Sequence, residues 1–116
     1  MSHEKFKKCI DACYACATEC EHCASECLKE TDLNMLTNCI NLTRECAAFC
    51  DSAAQVMSMG GRFAEELCAL CAEVCETCAE ECEKHARLEH CKKCAEECRK
   101  CGGECRVMVK ENNIFV

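Results

Sequence analysis

The sequence predicts an all-α fold, an antiparallel up-down-up-down four-helix bundle whose core is lined with cysteine. Two observations predict it: 19 of the 116 residues are cysteine, and these recur at alternating intervals of three and four. This alternation keeps one stripe of an α-helix facing one direction. A third observation is that the alternation loses phase at three places, which divides residues 1–116, taken as one domain, into four helices. Short connections make neighbouring helices antiparallel.

The first helix is predicted at roughly 3–29. Its six cysteines are Cys9, Cys13, Cys16, Cys20, Cys23 and Cys27. The next in-phase positions are Glu30 and Asn34, yet cysteine resumes only at position 39. Between the two runs, Thr31 or Asp32 could cap a new helix, which places the first turn here.

The second helix is predicted at roughly 32–58 and is sparser in cysteine. Its cysteines are Cys39, Cys46 and Cys50. Thr43, Ala53 and Met57 occupy further positions on the same stripe of the helix, which we call its seam. The pair Gly60-Gly61 then separates this helix from the third, since glycine commonly ends helices.

The third helix, at roughly 62–86, and the fourth, at roughly 89–109, return to the dense spacing. Their cysteines are Cys68, Cys71, Cys75, Cys78 and Cys82, followed by Cys91, Cys94, Cys98, Cys101 and Cys105. The third seam continues to His85 and would next reach Glu89, but the next cysteine is Cys91, two residues later. This shift predicts a tight turn near 86–89. Gly102-Gly103 lies inside the fourth helix and should weaken it locally.

A short repeat, C-x-x-C-A-x-E-C, occurs within three of these helices. It starts at Cys13, Cys20, Cys75 and Cys91. At helical spacing its cysteines face inward, and its glutamate is expected to point to solvent.

The composition places cysteine in the core. Half of the chain is apolar, but these residues comprise 19 Cys, 14 Ala and only 25 larger side chains. So few large hydrophobes, spread over the whole chain, cannot fill the interior of a domain of this size. Cysteine must therefore line much of the core, and the core is the expected functional site.

Charge and composition also exclude several classes of protein. The formal net charge of −7 argues against binding nucleic acid or an anionic membrane. No apolar run approaches the roughly 18 residues of a membrane span, and the N-terminal MSHEKFKKC lacks the apolar stretch of a signal peptide. A cytoplasmic protein with reduced thiols is expected. No phosphate-binding glycine loop or Ser/His/Asp arrangement indicates an enzyme.

Four uses of the cysteines compete. Packing alone would not choose Cys over Ala, Leu and Val at nearly every seam position. Disulfides within a helix are disfavoured, because Cβ atoms three or four residues apart are about 5–6 Å apart and a disulfide needs roughly 3.8 Å. Zinc or an iron–sulfur cluster could use the six C-x-x-C pairs, but such sites usually draw their cysteines from turns and loops.

Monovalent copper is the fourth use, and it fits best. Soft thiolates select Cu(I), which is satisfied by two or three sulfurs. A dry core cannot hold many uncompensated thiolates, but one Cu⁺ for each thiolate is neutral. We therefore expect roughly one Cu(I) per cysteine. A zinc-buffering, metallothionein-like protein and a thiol redox protein stay open as alternatives.

The chain resembles the bacterial copper storage proteins in its three dense seams, CIDACYACATECEHCASEC, CALCAEVCETCAEEC and CKKCAEECRKCGGEC. The resemblance covers residues 5–108 and, without an export signal, points to the cytosolic branch of the family. It implies a homotetramer of four-helix bundles, each binding many Cu(I) ions through inward-facing cysteines. The resemblance also implies that every seam cysteine is a copper ligand. A copper chaperone could act as the donor of the ions.

The resemblance also implies that copper enters at one end of the bundle, where His or Met ligands replace part of the cysteine lining. His85 is in phase with the third seam and His90 directly precedes Cys91, so both are candidate ligands at that end. Met35 lies at the same end and is expected to pack. At the opposite end Met57 and Met108 continue their seams, where core packing is the more common role of methionine.

Overall fold

The computed structural model describes residues 2–112, with side chains for residues 4 and 6–109. Within this range the chain forms four α-helices and no strands, which confirms the predicted all-α class. The helices are α1 (Ser2–Cys27), α2 (Leu33–Ser58), α3 (Ala64–Glu83) and α4 (Glu89–Asn112). Each helix packs against two neighbours, in the closed order α1, α2, α3, α4 and back to α1. The resulting bundle measures 48 × 24 × 17 Å.

The connection between α1 and α2 starts earlier than the seam predicts. Helix α1 ends at Cys27, because the N–H groups of Lys29 and Glu30 bond to the carbonyls of Glu26 and Cys27, three residues back. These tighter bonds turn the chain out of the helix. Asp32 occupies the position that precedes α2, as predicted, but its side chain makes no capping hydrogen bond.

Glycine forms the connection between α2 and α3. Gly60 has a positive φ of 63°, a conformation that costs glycine little. Its N–H bonds to the Met57 carbonyl, and the N–H of Gly61 bonds to the Val56 carbonyl. This pair of bonds is the Schellman motif that satisfies the last carbonyls of a helix. Because residues 61–63 complete the turn, α3 begins at Ala64 rather than near residue 62.

The connection between α3 and α4 is made without glycine or proline. Helix α3 ends at Glu83, three residues before the predicted end. The N–H groups of His85, Leu88 and Cys91 then bond to carbonyls three residues back, which produces successive tight turns. These turns explain why cysteine resumes two residues late in the sequence.

Helix α4 runs through Gly102 and Gly103 without interruption. Gly102 is buried, and a Cβ atom there would lie 3.5 Å from the Cβ of Cys75 on α3. Gly103 is exposed, and no neighbouring atom lies within 4 Å of the same position. The first glycine therefore lies in the contact between α3 and α4, whereas the second faces open space.

The core consists mainly of thiols and methyl groups. All 19 cysteines are at most 2% exposed, and buried alanines such as Ala47, Ala72 and Ala79 fill the flanks of the seams. Leu36 and Met57 are the largest fully buried side chains. In the described range, none of the helices is both long and apolar enough to cross a membrane.

Candidate metal centre

The cysteine sulfurs form a column along the axis of the bundle. Cys16 Sγ lies 3.7 Å from Cys98 Sγ on α4 and 3.9 Å from Cys46 Sγ on α2. Cys50 Sγ lies 3.6 Å from Cys75 Sγ and 3.8 Å from Cys101 Sγ. Thiols from neighbouring helices therefore approach as closely as thiols one turn apart on the same helix, such as the Cys46–Cys50 pair at 3.9 Å.

Many of these sulfurs gather in fours, with ligand atoms within 4.8 Å of one another. Five such groups are Cys13/Cys71/Cys101/Cys105, Cys16/Cys46/Cys50/Cys75, Cys16/Cys20/Cys46/Cys98, Cys20/Cys78/Cys94/Cys98 and Cys23/Cys27/Cys39/Cys91. The second, third and fourth of these groups share members, because Cys16, Cys20, Cys46 and Cys98 each belong to two of them. These three groups therefore form a chain of connected sites, in which one sulfur can bridge two metal ions.

The spacing of the sulfurs suits a metal ion and not a disulfide. The contacts between cysteine sulfurs span 3.6 to 4.0 Å, whereas a disulfide bond is about 2.05 Å long, and all of the cysteines are free. With a metal–sulfur distance of about 2.3 Å, as in zinc thiolates, this spacing corresponds to S–metal–S angles of roughly 105–120°. Such angles include those of tetrahedral and of trigonal coordination. The column can therefore accept three- or four-coordinate ions with little movement.

Thiol protonation in the column depends on position. Burial raises the pKa of the Cys27 thiol, because a thiolate is poorly solvated in the core. Neighbouring thiols, Cys105 and then Cys13 above all, lower the pKa of the Cys101 thiol to about 7. A metal ion binds the thiolate, so each ion that enters must displace protons from these shared S–H···S contacts.

The end of the bundle formed by the α1–α2 and α3–α4 connections carries a buried pair, His85 and Glu81, which are 6% and 7% exposed. Glu81 accepts hydrogen bonds from Asn38 Nδ2 at 2.9 Å and from His85 Nε2 at 3.0 Å. His85 Nδ1 is also buried and makes no hydrogen bond within the described part of the chain. The imidazole therefore keeps a nitrogen that no described residue uses. We call this the histidine end.

A family model described as copper storage protein matches residues 2–110 of the chain. The chain belongs to the copper storage protein family. Its membership confirms the resemblance read from the seams and the predicted function of copper storage.

Solved structures of copper storage proteins share this fold. Copper storage protein 3 from Bacillus subtilis, in its metal-free form, is 44% identical, with a TM-score of 0.84 over 89% of this chain and 97% of that one. The Cu(I)-bound BsCsp3 structure is likewise 44% identical, with a TM-score of 0.85 over 89% and 96%. A cytosolic copper storage protein from Streptomyces lividans, loaded with five coppers, is 36% identical, with a TM-score of 0.90 over 94% and 95%.

A curated relative of the chain is described as a cysteine-rich protein. The cysteine-rich protein YhjQ of Bacillus subtilis (strain 168) is 45% identical over 64 residues, which is 55% of this chain. The match spans 59% of that relative's length.

The other predicted ligands of this copper storage family member occupy different environments. His90 is only partly buried and lines a surface cavity of about 460 Å³ with His22, Glu26 and Glu89. Its Nε2 atom is buried and makes no hydrogen bond to the described residues. Met35 is 52% exposed, so it does not pack into the core as expected. Of the two predicted histidines, the structure thus brings His85 into the core and leaves His90 at the surface.

Glu81 is the residue that sequence reasoning missed. It is the glutamate of the repeat that starts at Cys75, and the prediction that this glutamate points to solvent is wrong here. Its burial follows from its partners, since Asn38 on α2 and His85 one turn later both bond to its carboxylate. The four-residue spacing between Glu81 and His85 was the available signal, because side chains at this spacing meet on a helix.

The opposite end of the bundle is closed by apolar side chains. Phe6, Ala64 and Met108 are 3%, 1% and 6% exposed, and Met57 is fully buried. The Cys68 thiol donates a hydrogen bond to Met57 Sδ across 3.4 Å. We call this the thioether end.

Proposed function

We propose that this chain stores Cu(I), at roughly one ion per cysteine, with all 19 cysteines as ligands and with His85 and His90 as ligands where copper enters. The observation that supports this proposal best is the shared column of sulfurs. Every cysteine is buried, and neighbouring sulfurs on all four helices lie 3.6 to 4.0 Å apart. Such a column offers bridging positions along the whole axis of the bundle.

Copper is favoured over zinc by the charge of the core. A zinc ion held by four thiolates carries a net charge of −2. Sulfurs that bridge two zinc ions reduce this negative charge but do not remove it. Apart from the sulfurs, the core consists mainly of alanine methyl groups and a few larger apolar side chains, which cannot stabilise such a charge. One Cu⁺ for each thiolate leaves no net charge. Because zinc leaves an uncompensated charge in the core and copper does not, we rank zinc buffering second to copper storage.

A thiol redox function fits the arrangement poorly. Redox cysteines are low-pKa thiols that are accessible to solvent, because a partner must reach the sulfur. The most exposed cysteine here, Cys9, is only 2% exposed. Storage rather than catalysis is the function that we propose.

We also propose a cytoplasmic location and a homotetramer of bundles. The location is supported by the likeness to the cytosolic Streptomyces lividans protein. A subunit contact is supported by apolar side chains that the single bundle leaves exposed, such as Tyr14 and Leu70, each 44% exposed. Ions would come from a copper chaperone that approaches the histidine end.

The test is an anaerobic titration of the reduced protein with Cu(I) and, separately, with Zn(II), each against a competing chelator. We expect Cu(I) saturation near the 19 cysteines of one chain and a much weaker response to Zn(II). Saturation at about one to four ions, or tighter binding of Zn(II), would favour the zinc function.

A further inference from the structure

Met57 extends the ligand seam of α2 into the thioether end. It follows Cys50 by seven residues, so it lies on the same stripe of the helix. Its side chain is fully buried, as is that of Cys68 at the start of α3. The two sulfur atoms are 3.4 Å apart, and the thiol proton of Cys68 points to the thioether. This sulfur–sulfur contact is shorter than the contacts between cysteines in the column.

Two further thiols complete the surroundings of Cys68. Cys9 and Cys105 lie near enough to act on the pKa of the Cys68 thiol, and their own sulfurs are 3.6 Å apart. An ion that replaced the Cys68 proton would therefore lie next to one thioether and at least one more thiol.

The distance to Met57 fits a shared ion after a small movement. At about 2.3 Å from both sulfurs, an ion between Cys68 and Met57 would form an S–metal–S angle of about 95°. Widening the separation to the 3.7 Å found for Cys16 and Cys98 brings the angle near that of the other sites. Methionine has three rotatable side-chain bonds and adapts readily to such a shift.

We propose that Met57 is a copper ligand, and that its thioether completes a terminal Cu(I) site with Cys68 and with Cys9 or Cys105. This inference rests on the proposed storage of Cu(I). Binding replaces the Cys68 proton, which passes to solvent. The Cys9 or Cys105 thiolate is shared with the next ion of the column, whose binding released the proton of that thiol, and the oxidation state of copper does not change.

The charge of the thioether end supports a thioether in this position. Phe6, Ala64 and Met108 surround the end of the column with apolar atoms, so an unbalanced charge there is costly. A thioether adds a soft donor without adding charge, and one thiolate then balances one Cu⁺. Divalent zinc gains little from a thioether and would keep a positive charge at such a site.

Selenium provides a direct test, because selenomethionine places a heavy scatterer at the proposed ligand atom. The labelled protein is loaded with Cu(I) anaerobically to saturation, and X-ray absorption is measured at the selenium edge. We expect copper in the first coordination shell of about one of the five methionines. This copper neighbour should disappear in Met57→Leu and persist in Met59→Leu, a matched control because Met59 is 73% exposed.

Copper content gives a second measurement on the same samples. Met57→Leu preserves the side-chain volume, so the fold should be retained, and the ratio of copper to protein should fall by about one ion. Met108→Leu should keep the selenium–copper signal, which makes the test independent of the folding of a single variant. A selenium spectrum without a copper neighbour in the wild-type protein overturns the inference, as does a signal that survives Met57→Leu. A wild-type protein that takes up no copper overturns the proposed function itself.

Discussion

The Nε2 atom of His85 lies 3.0 Å from a carboxylate oxygen of Glu81, and both side chains are buried. A buried carboxylate needs a donor, so Nε2 carries a proton, and in the neutral imidazole Nδ1 then keeps its lone pair. Carboxylates commonly fix the orientation of metal-binding histidines in this way. We therefore propose that Glu81 prepares His85 to bind an arriving ion through Nδ1.

The Glu81→Ala variant should destabilise the copper-free protein. The substitution leaves Asn38 Nδ2 and His85 Nε2 without an acceptor, which should lower the free energy of unfolding by about 1–3 kcal/mol. Urea denaturation measures this loss. Glu80→Ala is the control, because Glu80 is the exposed neighbour of Glu81 and should cost little.

The contribution of Glu81 should depend on pH. Burial alone would raise the pKa of Glu81, but hydrogen bonds from His85, Asn38 and Lys84 outweigh burial and hold the pKa below its usual value. The stabilisation is therefore fully present above the unfolded pKa of about 4.3 and is lost as the pH falls through the lower folded pKa. The stability difference between wild type and Glu81→Gln should narrow in acid. A difference that stays constant between neutral and acid pH would contradict this expectation.

Replacing His85 and His90 with alanine should slow both the loading and the removal of copper. Neutral imidazole binds Cu(I) less tightly than thiolate, so it can hold an ion briefly and pass it to cysteines such as Cys39 and Cys82. Total capacity should fall by no more than about two ions, because only two ligands are lost. Stopped-flow loading measures the rates.

The single variants should differ, because His85 lies in the core and His90 lines a surface cavity. We expect the larger effect from His85→Ala. Unchanged rates in the double variant would instead direct copper uptake to the Met57 and Met108 end.

Replacing Cys16, Cys20, Cys75 and Cys78 together with alanine should remove several ions of capacity while the helices persist. The substitutions remove Cys16 and Cys20, which each belong to two of the named four-sulfur groups, and Cys75 and Cys78, which each belong to one, but alanine is the best helix former. Copper-to-protein ratios measure the loss, and circular dichroism of the copper-free protein checks the helices. Loss of helical signal would show that thiol packing, and not helix propensity, supports the fold.

Thr43→Cys should change capacity in the opposite direction. Thr43 is fully buried in the α2 seam, where its hydroxyl bonds only to the carbonyls of Cys39 and Ile40 among the described residues. A thiol there fills the missing ligand position and should add about one ion. Anaerobic titration beside the wild type detects the gain, and an unchanged endpoint would mean that this position faces no metal.

Gly103→Ala should stabilise the protein without changing its copper capacity. The new Cβ meets no atom within 4 Å, so the gain is that of replacing glycine in a helix interior, about 0.5–1 kcal/mol. Thermal unfolding should shift upward by roughly 2–6 °C. Gly102→Ala is the comparison: its Cβ would lie 3.5 Å from the Cβ of Cys75, an ordinary van der Waals contact, so it should stabilise the protein at least as much.

The sequence predicts the four helices and the cysteine core because one signal specifies both. A three-and-four alternation defines a helix and the face that it buries, and each break in phase marks a turn. The ends of α1 and α3 differ from the prediction because backbone N–H groups there bond to the carbonyl three residues earlier in the chain. These hydrogen bonds have no signature in the side-chain types.

The spacing of the cysteines does not predict the environments of Glu81, His90 and Met35. Glu81 directly precedes Cys82, at the edge of the buried stripe, and its burial depends on Asn38 of another helix. His90 directly precedes Cys91, which places it beside the seam facing the groove between α1 and α4. Periodicity locates a stripe, but partners across a helix interface decide what lies at its margins.

The shared column of sulfurs makes storage a matter of length. The alternation repeats every seven residues, and a heptad lengthens an α-helix by about 10.5 Å. Extending all four helices by one heptad would add up to eight inward thiols while leaving the cross-section and the existing contacts unchanged. The copper capacity of this architecture can therefore increase by the same amount with each added heptad, while the existing sites stay unchanged.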